Sequence, residues 1–209
     1  DILVNNAGIL RDKSFSKMTL DDFRLVVEVH LMGAATCTKA VWDLMKEQQY
    51  GRIVMTTSSS GVYGNFGQSN YGAAKMAVIG LMNTLVLEWQ KYNIHVNALA
   101  PAAATRMTED LGIDEGALSL MKPEAVTAGL LTLCHDKAPS RFILCAGAGG
   151  YASTQIYETD GIFLPPEEQT PEAIMARWSE VADPKGQAVL HSGAEQSEKF
   201  LKKAMAYFS

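Results

Sequence analysis

The chain of 209 residues contains no uninterrupted apolar run of about 18 residues, so a membrane-spanning helix is not expected. Cysteine is scarce. Cys37, Cys134 and Cys145 sit far apart in apolar stretches, an odd and scattered set that excludes a disulfide frame. They are expected as buried free thiols in a reducing compartment. Basic charge is short as well: 18 Lys and Arg face 23 Asp and Glu, the formal net charge is −5, and no basic cluster appears, which argues against a nucleic-acid partner. His95, His135 and His191 have no metal-ligand spacing with one another or with cysteine, so no metal site is expected. The sequence also has no opening Met or signal peptide. Asp1-Ile2-Leu3-Val4 reads as a strand already under way, in a chain that begins inside a domain.

What is present alternates between strand-like and helix-like segments, the pattern of an α/β sheet covered by helices. Ile2 to Asn5 is a short buried strand. Thr19, with Asp22 three residues on, caps a long helix that ends near Gln48. Arg52 to Thr57 is a strand, Ser58 to Gly67 a Ser/Gly-rich loop, and Asn70 to Tyr92 a second long helix. Ile94 to Leu99 is a strand closed by Pro101. A short helix is expected around Thr105 to Leu111, another from Pro123 to about His135, and a strand at Phe142 to Cys145. The Gly147-Ala148-Gly149-Gly150 run reads as a turn that ends this core. Residues 151–209 form a small, mostly helical extension, with helices after Thr170-Pro171 and from about Glu195 to Tyr207, read as a packing or oligomer appendage. Met18, Met32, Met45, Met55, Met76 and Met82 read as core filler.

The chemical signal is Tyr71-Gly72-Ala73-Ala74-Lys75. A four-residue spacing on a helix puts phenol and ammonium on one face. A free tyrosine has a pKa near about 10, and a neighbouring cation lowers it, so Tyr71 gains the means to exchange a proton with a substrate hydroxyl or carbonyl. Only one of the seven tyrosines has Lys at this spacing, although a plain surface pair would look the same. Ser58 stands thirteen residues earlier, at a strand end, where open α/β sheets present ligands. The alternative is a turn rich in local side-chain-to-backbone bonds, and chemistry alone does not choose among Ser58, Ser59 and Ser60.

Together, Asn5-Asn6-Ala7-Gly8, the Ser58/Tyr71/Lys75 spacing and Asn97-Ala98-Leu99-Ala100-Pro101 resemble the short-chain dehydrogenases/reductases over residues 1 to 150. The resemblance implies the C-terminal portion of a Rossmann-like, doubly wound parallel sheet. It implies Tyr71 as general acid/base, Lys75 as the residue that lowers its pKa and binds the nicotinamide ribose, and Ser58 as the holder of the substrate oxygen. Asn5, Ala7 and Gly8 would border the adenosine side of the cofactor, and Pro101 the nicotinamide. The stretches Tyr50 to Val54, Gly61 to Gln68, Asn6 to Asp12 and Arg106-Met107-Thr108 are similar to the dehydrogenase units of peroxisomal multifunctional β-oxidation enzymes and their bacterial relatives. That implies oxidation of (3R)-hydroxyacyl-CoA to 3-ketoacyl-CoA with NAD, in a peroxisome or a bacterial cytoplasm, by a homodimer built on the two long helices.

Two positions depart from the broad pattern. His30 stands where most of the family has an Asn that holds a proton-relaying water chain, and it enters the catalytic set on that ground; a helix histidine satisfied by its neighbours is the plainer reading. Ala102 replaces the usual Gly after the proline. The first β-α-β half, with its Gly-rich phosphate loop and the residue that chooses NAD or NADP, has no counterpart before Asp1, and Gly147 to Gly150 does not replace it because it opens no helix in a βαβ unit. An NADPH-dependent reductase of another carbonyl, and a catalytically silent module, therefore stand as alternatives.

Overall fold

A computed structural model of the chain describes residues 1–105 and 114–208. The short helix expected around Thr105 to Leu111 and the Arg106-Met107-Thr108 stretch lie outside the described residues, apart from Thr105. Five strands form one sheet in sequence order: β1 Ile2–Asn5, β2 Gly51–Thr56, β3 Ile94–Ala102, β4 Ile143–Gly147 and β5 Gly150–Thr154. The first four are parallel and β5 returns antiparallel to β4. Gly51 to Met55 of β2 are all buried, as expected of a strand covered on both faces, and Ile53, Val54 and Met55 are apolar without alternation. The molecule is an α/β fold with a predominantly parallel sheet flanked by helices.

The strand alternation sorts the core into two layers. Ile53 and Met55 of β2 pack with Ile94, Val96 and Ala98 of β3 against α4, Ser69–Trp89, where Val78, Met82 and Trp89 are buried. Val54 and Leu99, on the opposite face, meet Leu133 of α6, Pro123–Cys134. Arg52 is 2% exposed and bonds no carboxylate in this layer. Its guanidinium donates to the carbonyls of Gly51, Asn93, His135 and Asp136, so one side chain ties β2 to the turn before β3 and to the C-terminal end of α6.

The expected first long helix is three pieces. Thr19 caps α1, Leu20–Val27, by accepting from the Asp22 N–H; a π-helical turn spans Glu28–Met32; and α2 continues over Gly33–Gln48. Within the turn, the Gly33 N–H reaches back five residues to the Glu28 carbonyl. Ser58 to Gly67 is not a plain loop, because Ser58 caps a short helix, α3, Ser59–Tyr63, its hydroxyl accepting from the Ser60 N–H. Strand β3 does not stop before Pro101 but runs through it. Past Leu99 it keeps only β4 as a neighbour, which leaves room for a residue without an N–H. The expected turn after Gly147 is the β4–β5 hairpin, with Ala148 and Gly149 at φ of 49° and 79°.

Three expectations of burial fail. Strand β1 forms but is not buried, since Ile2 is 54% and Val4 36% exposed. Cys37 is exposed and Cys134 and Cys145 are half-buried, so the free thiols are not core residues. Met32 and Met76 are 45% and 40% exposed on outward helix faces, whereas Met45, Met55 and Met82 are buried.

The chain divides into two units, 1–154 and 155–209. The first also holds α5, Glu115–Leu120. The second holds α7, Pro171–Ala176, capped by the Thr170 hydroxyl, α8, Trp178–Val181, and α9, Gly193–Phe208. Lys199 and Lys203 of α9 pair with Glu158 and Asp160, which holds that helix to the extended segment before it. No helix among the described residues is long and apolar enough to cross a membrane, and no group of three or more metal-ligating side chains occurs among them.

Candidate active site

The C-terminal ends of β2 and β3 carry the site, the edge at which a parallel sheet offers ligands its strand ends. Lys75 is 3% exposed on α4. Its Nζ donates to the Thr56 carbonyl at 2.6 Å and lies 5.4 Å from the centroid of the Tyr71 ring. The Thr57 hydroxyl donates to the Lys75 carbonyl at 2.7 Å, so the end of β2 grips the first turns of α4 twice. Burial pulls the Lys75 ammonium down to about 8. Gly61 sets the approach of α3 to α4: a Cβ there would fall 2.7 Å from the Lys75 Cβ and 2.9 Å from its carbonyl carbon.

Tyr71 behaves differently from the sequence expectation. Its pKa lies above the ordinary value of 10.0, because burial raises it, a hydrogen bond from Ser58 lowers it, and the Asp12 carboxylate raises it. Lys75 does not lower it, although its Nζ lies 5.4 Å from the ring centroid. Among the three adjacent serines, Ser58 is the one that bonds Tyr71, and it is buried because it caps α3.

His30 is 4% exposed in the π-helical turn. Its Nε2 lies 2.8 Å from the Ile9 carbonyl and 3.1 Å from the Ile9 N–H, and its ring meets Tyr71 edge-on at 5.1 Å. Nδ1 is buried with no partner among the described residues. Burial pulls its pKa below 6.5 first; the Ile9 carbonyl raises it and Lys75 lowers it again. Gly8 is what admits the ring, as a Cβ at that position would come 2.5 Å from the His30 Cε1.

A cavity of about 140 Å³ is lined by Asn5, Ala7, His30, Thr56 and Lys75, and Cys37 stands on its wall. The Asn5 amide within it donates to the Thr38 hydroxyl and the Met55 sulfur. Pro101 lines a second cavity with Ser59, beyond the ends of β3 and β4. The structure thus gathers Ser58, Tyr71, Lys75 and His30, places Asn5 and Ala7 beside them, packs Gly8 on His30, and sets Pro101 on the neighbouring cavity. Asp12, Thr57 and Gly61 belong to the same neighbourhood and were missed. No spacing signals them, since each acts through a contact that exists only after folding.

The sequence model for short chain dehydrogenase matches residues 1–116, more than half of the chain. The chain belongs to the short-chain dehydrogenase family. Among its relatives, the peroxisomal multifunctional enzyme type 2 of Mus musculus is 46% identical over 186 residues, covering 88% of this chain and 25% of that protein. The 3-oxoacyl-[acyl-carrier-protein] reductase of Synechocystis is 41% identical over 168 residues, covering 77% of this chain and 64% of the reductase. The solved full-length peroxisomal multifunctional enzyme type 2 of Drosophila melanogaster superposes with a TM-score of 0.86 at 39% identity, over 95% of this chain and 37% of that one. The chain therefore spans a quarter to about two thirds of the length of these relatives. The family is one of oxidoreductases, and membership implies a nicotinamide cofactor.

The residues present fit such a cofactor. Lys75 has three N–H donors and gives one to Thr56, and it shares a cavity wall with His30, whose Nδ1 has no partner among the described residues.

Proposed function

We propose that this short-chain dehydrogenase interconverts a (3R)-hydroxyacyl-CoA and its 3-ketoacyl-CoA with NAD. The observation that carries the reading is the convergence of Ser58, Tyr71 and Lys75 at the ends of β2 and β3. Similarity to the peroxisomal multifunctional enzymes supports the substrate class, and the motif resemblance supports NAD.

In the proposed reaction the nicotinamide supplies the hydride acceptor. Ser58 holds the substrate oxygen beside the Tyr71 hydroxyl. Tyr71 takes the hydroxyl proton on oxidation and returns it to the carbonyl oxygen on reduction. Lys75 binds ribose hydroxyls with the donors that Thr56 leaves free, and its charge stabilises the phenolate once Tyr71 has given up its proton. Asn5, Ala7 and Gly8 border the adenosine side, Pro101 the nicotinamide side, and His30 relays protons toward Lys75. The same reading includes a homodimer through α2 and α4, whose outward faces keep Leu44, Met76 and Leu87 exposed.

The test is reduction of NAD by the full-length gene product with (3R)- against (3S)-3-hydroxybutyryl-CoA. Turnover of the 3R isomer alone is expected, and Tyr71→Phe lowers it at least about a hundredfold with the fold intact. Activity in Tyr71→Phe at the parent rate would remove the catalytic assignment. A second reading, NADPH-dependent reduction of a 3-oxoacyl thioester, rests on the similarity to the Synechocystis reductase; the ratio of rates with NADH and NADPH separates the two.

A further inference from the structure

The cavity beyond the ends of β3 and β4 has a volume of about 590 Å³. Much of its wall is small, from Ala100 and Ala102 of β3, Ala146 and Gly147 of β4 and Ala152 of β5, and the larger Met121 and Tyr151, whose hydroxyl is spent on the Ala125 carbonyl, complete it. Such side chains leave space without directing hydrogen bonds, which suits an apolar, unbranched segment. One polar strip crosses it. The Tyr63 hydroxyl lies 3.0 Å from the Thr154 Oγ1, and that oxygen lies 3.1 Å from the Cys145 Sγ. Tyr63 ends α3, five residues after Ser58, and Thr154 ends β5. The tyrosine ring, 71% exposed, is therefore a bridge between the helix that Ser58 caps and the far edge of the sheet, held at its tip by one hydrogen bond.

We propose that this cavity receives the apolar arm of the carbonyl substrate and that Tyr63, tethered by Thr154, is its gate. The gate determines how long an arm is accepted, and Cys145 lies on the wall beneath it. The inference rests on the reaction proposed above and adds the residues that select among its substrates. Two features carry it. The cavity includes Ser59 and Pro101, so it adjoins the reacting centre. And a largely exposed ring tethered through its hydroxyl is released at its tip when a single oxygen is removed, at little cost to the fold.

Two measurements on the full-length gene product test this. In the first, iodoacetamide alkylates the protein with and without dodecanoyl-CoA, and peptide mass spectrometry follows each thiol. The Cys145 sulfur displaces iodide, so its rate reports access to the cavity, while Cys134, at the end of α6 and on the wall of neither cavity, is the internal control. Dodecanoyl-CoA is expected to slow Cys145 at least fivefold and leave Cys134 unchanged. A Cys145 that never reacts, or that reacts equally with ligand present, overturns the proposal. In the second, Thr154→Val and Tyr63→Phe each delete the tether. Each is expected to shift the ratio of kcat/KM for a twelve-carbon against a four-carbon substrate about fivefold toward the longer one, the scale of a lost hydrogen bond. An unchanged ratio in both variants overturns the gate. Protection of Cys145 without turnover of any hydroxyacyl-CoA retains the cavity and refutes the reaction; turnover without protection refutes the cavity and retains the reaction.

Discussion

Replacing Lys75 by Met should make the fold more stable while removing the proposed dehydrogenase activity. Lys75 is 3% exposed, and burial holds its ammonium at about 8 against an ordinary 10.5. That difference corresponds to about 3 kcal/mol of desolvation at neutral pH, at about 1.4 kcal/mol per tenfold in the proton equilibrium. Met fills a similar volume without charge. It forfeits the bond from Nζ to the Thr56 carbonyl, which returns about 1 kcal/mol. The expected net gain is about 2 kcal/mol, or a Tm higher by about 4–8 °C for a chain of this size. The sign reverses the usual one for a paired lysine. Because the folded pKa lies below the unfolded one, the unfolded chain binds more protons between about 8 and 10.5, so the parent gains stability as pH rises through that window. Urea unfolding of parent and variant at pH 7 and at pH 10.5 measures both effects, and the gap between them should close at the higher pH. A Lys75→Met variant destabilised by about 1 kcal/mol at pH 7, or a gap independent of pH, would refute the reasoning.

Three further outcomes are expected. Gly8→Ala drives a methyl to within 2.5 Å of the His30 Cε1, displaces the imidazole from Ile9 and lowers stability by about 1–3 kcal/mol; unfolding indistinguishable from the parent counts against the packing argument. Arg52→Met leaves four backbone carbonyls without the guanidinium and costs about 3 kcal/mol or more, read as a lower urea midpoint at constant slope. His30 is held neutral by burial, with its folded pKa below 6.5. Its contribution is therefore present above pH 6.5 and lost as pH falls through its lowered folded value, and a His30→Asn variant should unfold with a shallower acid limb than the parent.

Local sequence determined most of the scaffold. Thr19, Thr170 and Pro123 mark helix starts because capping is settled within one turn of chain. Arg52 to Thr57 was legible as a strand from the short apolar Ile53-Val54-Met55 segment before a Ser/Gly-rich stretch. The Tyr71/Lys75 pair was legible because a helical turn places residues four apart on one face. Tertiary structure decided the rest. The choice of Ser58 among three serines required α3, which the Ser/Gly composition concealed. The environment of Tyr71 required burial against Asp12 and His30, so its pKa rises although Lys75 is near. Gly8 and Gly61 acquire their roles from side chains distant in sequence, and the Tyr63–Thr154 bridge joins residues 91 positions apart. Spacing along a chain encodes neighbours within a helix or strand. Desolvation, close approach and cavities depend on what packs from elsewhere, and only the folded chain specifies that.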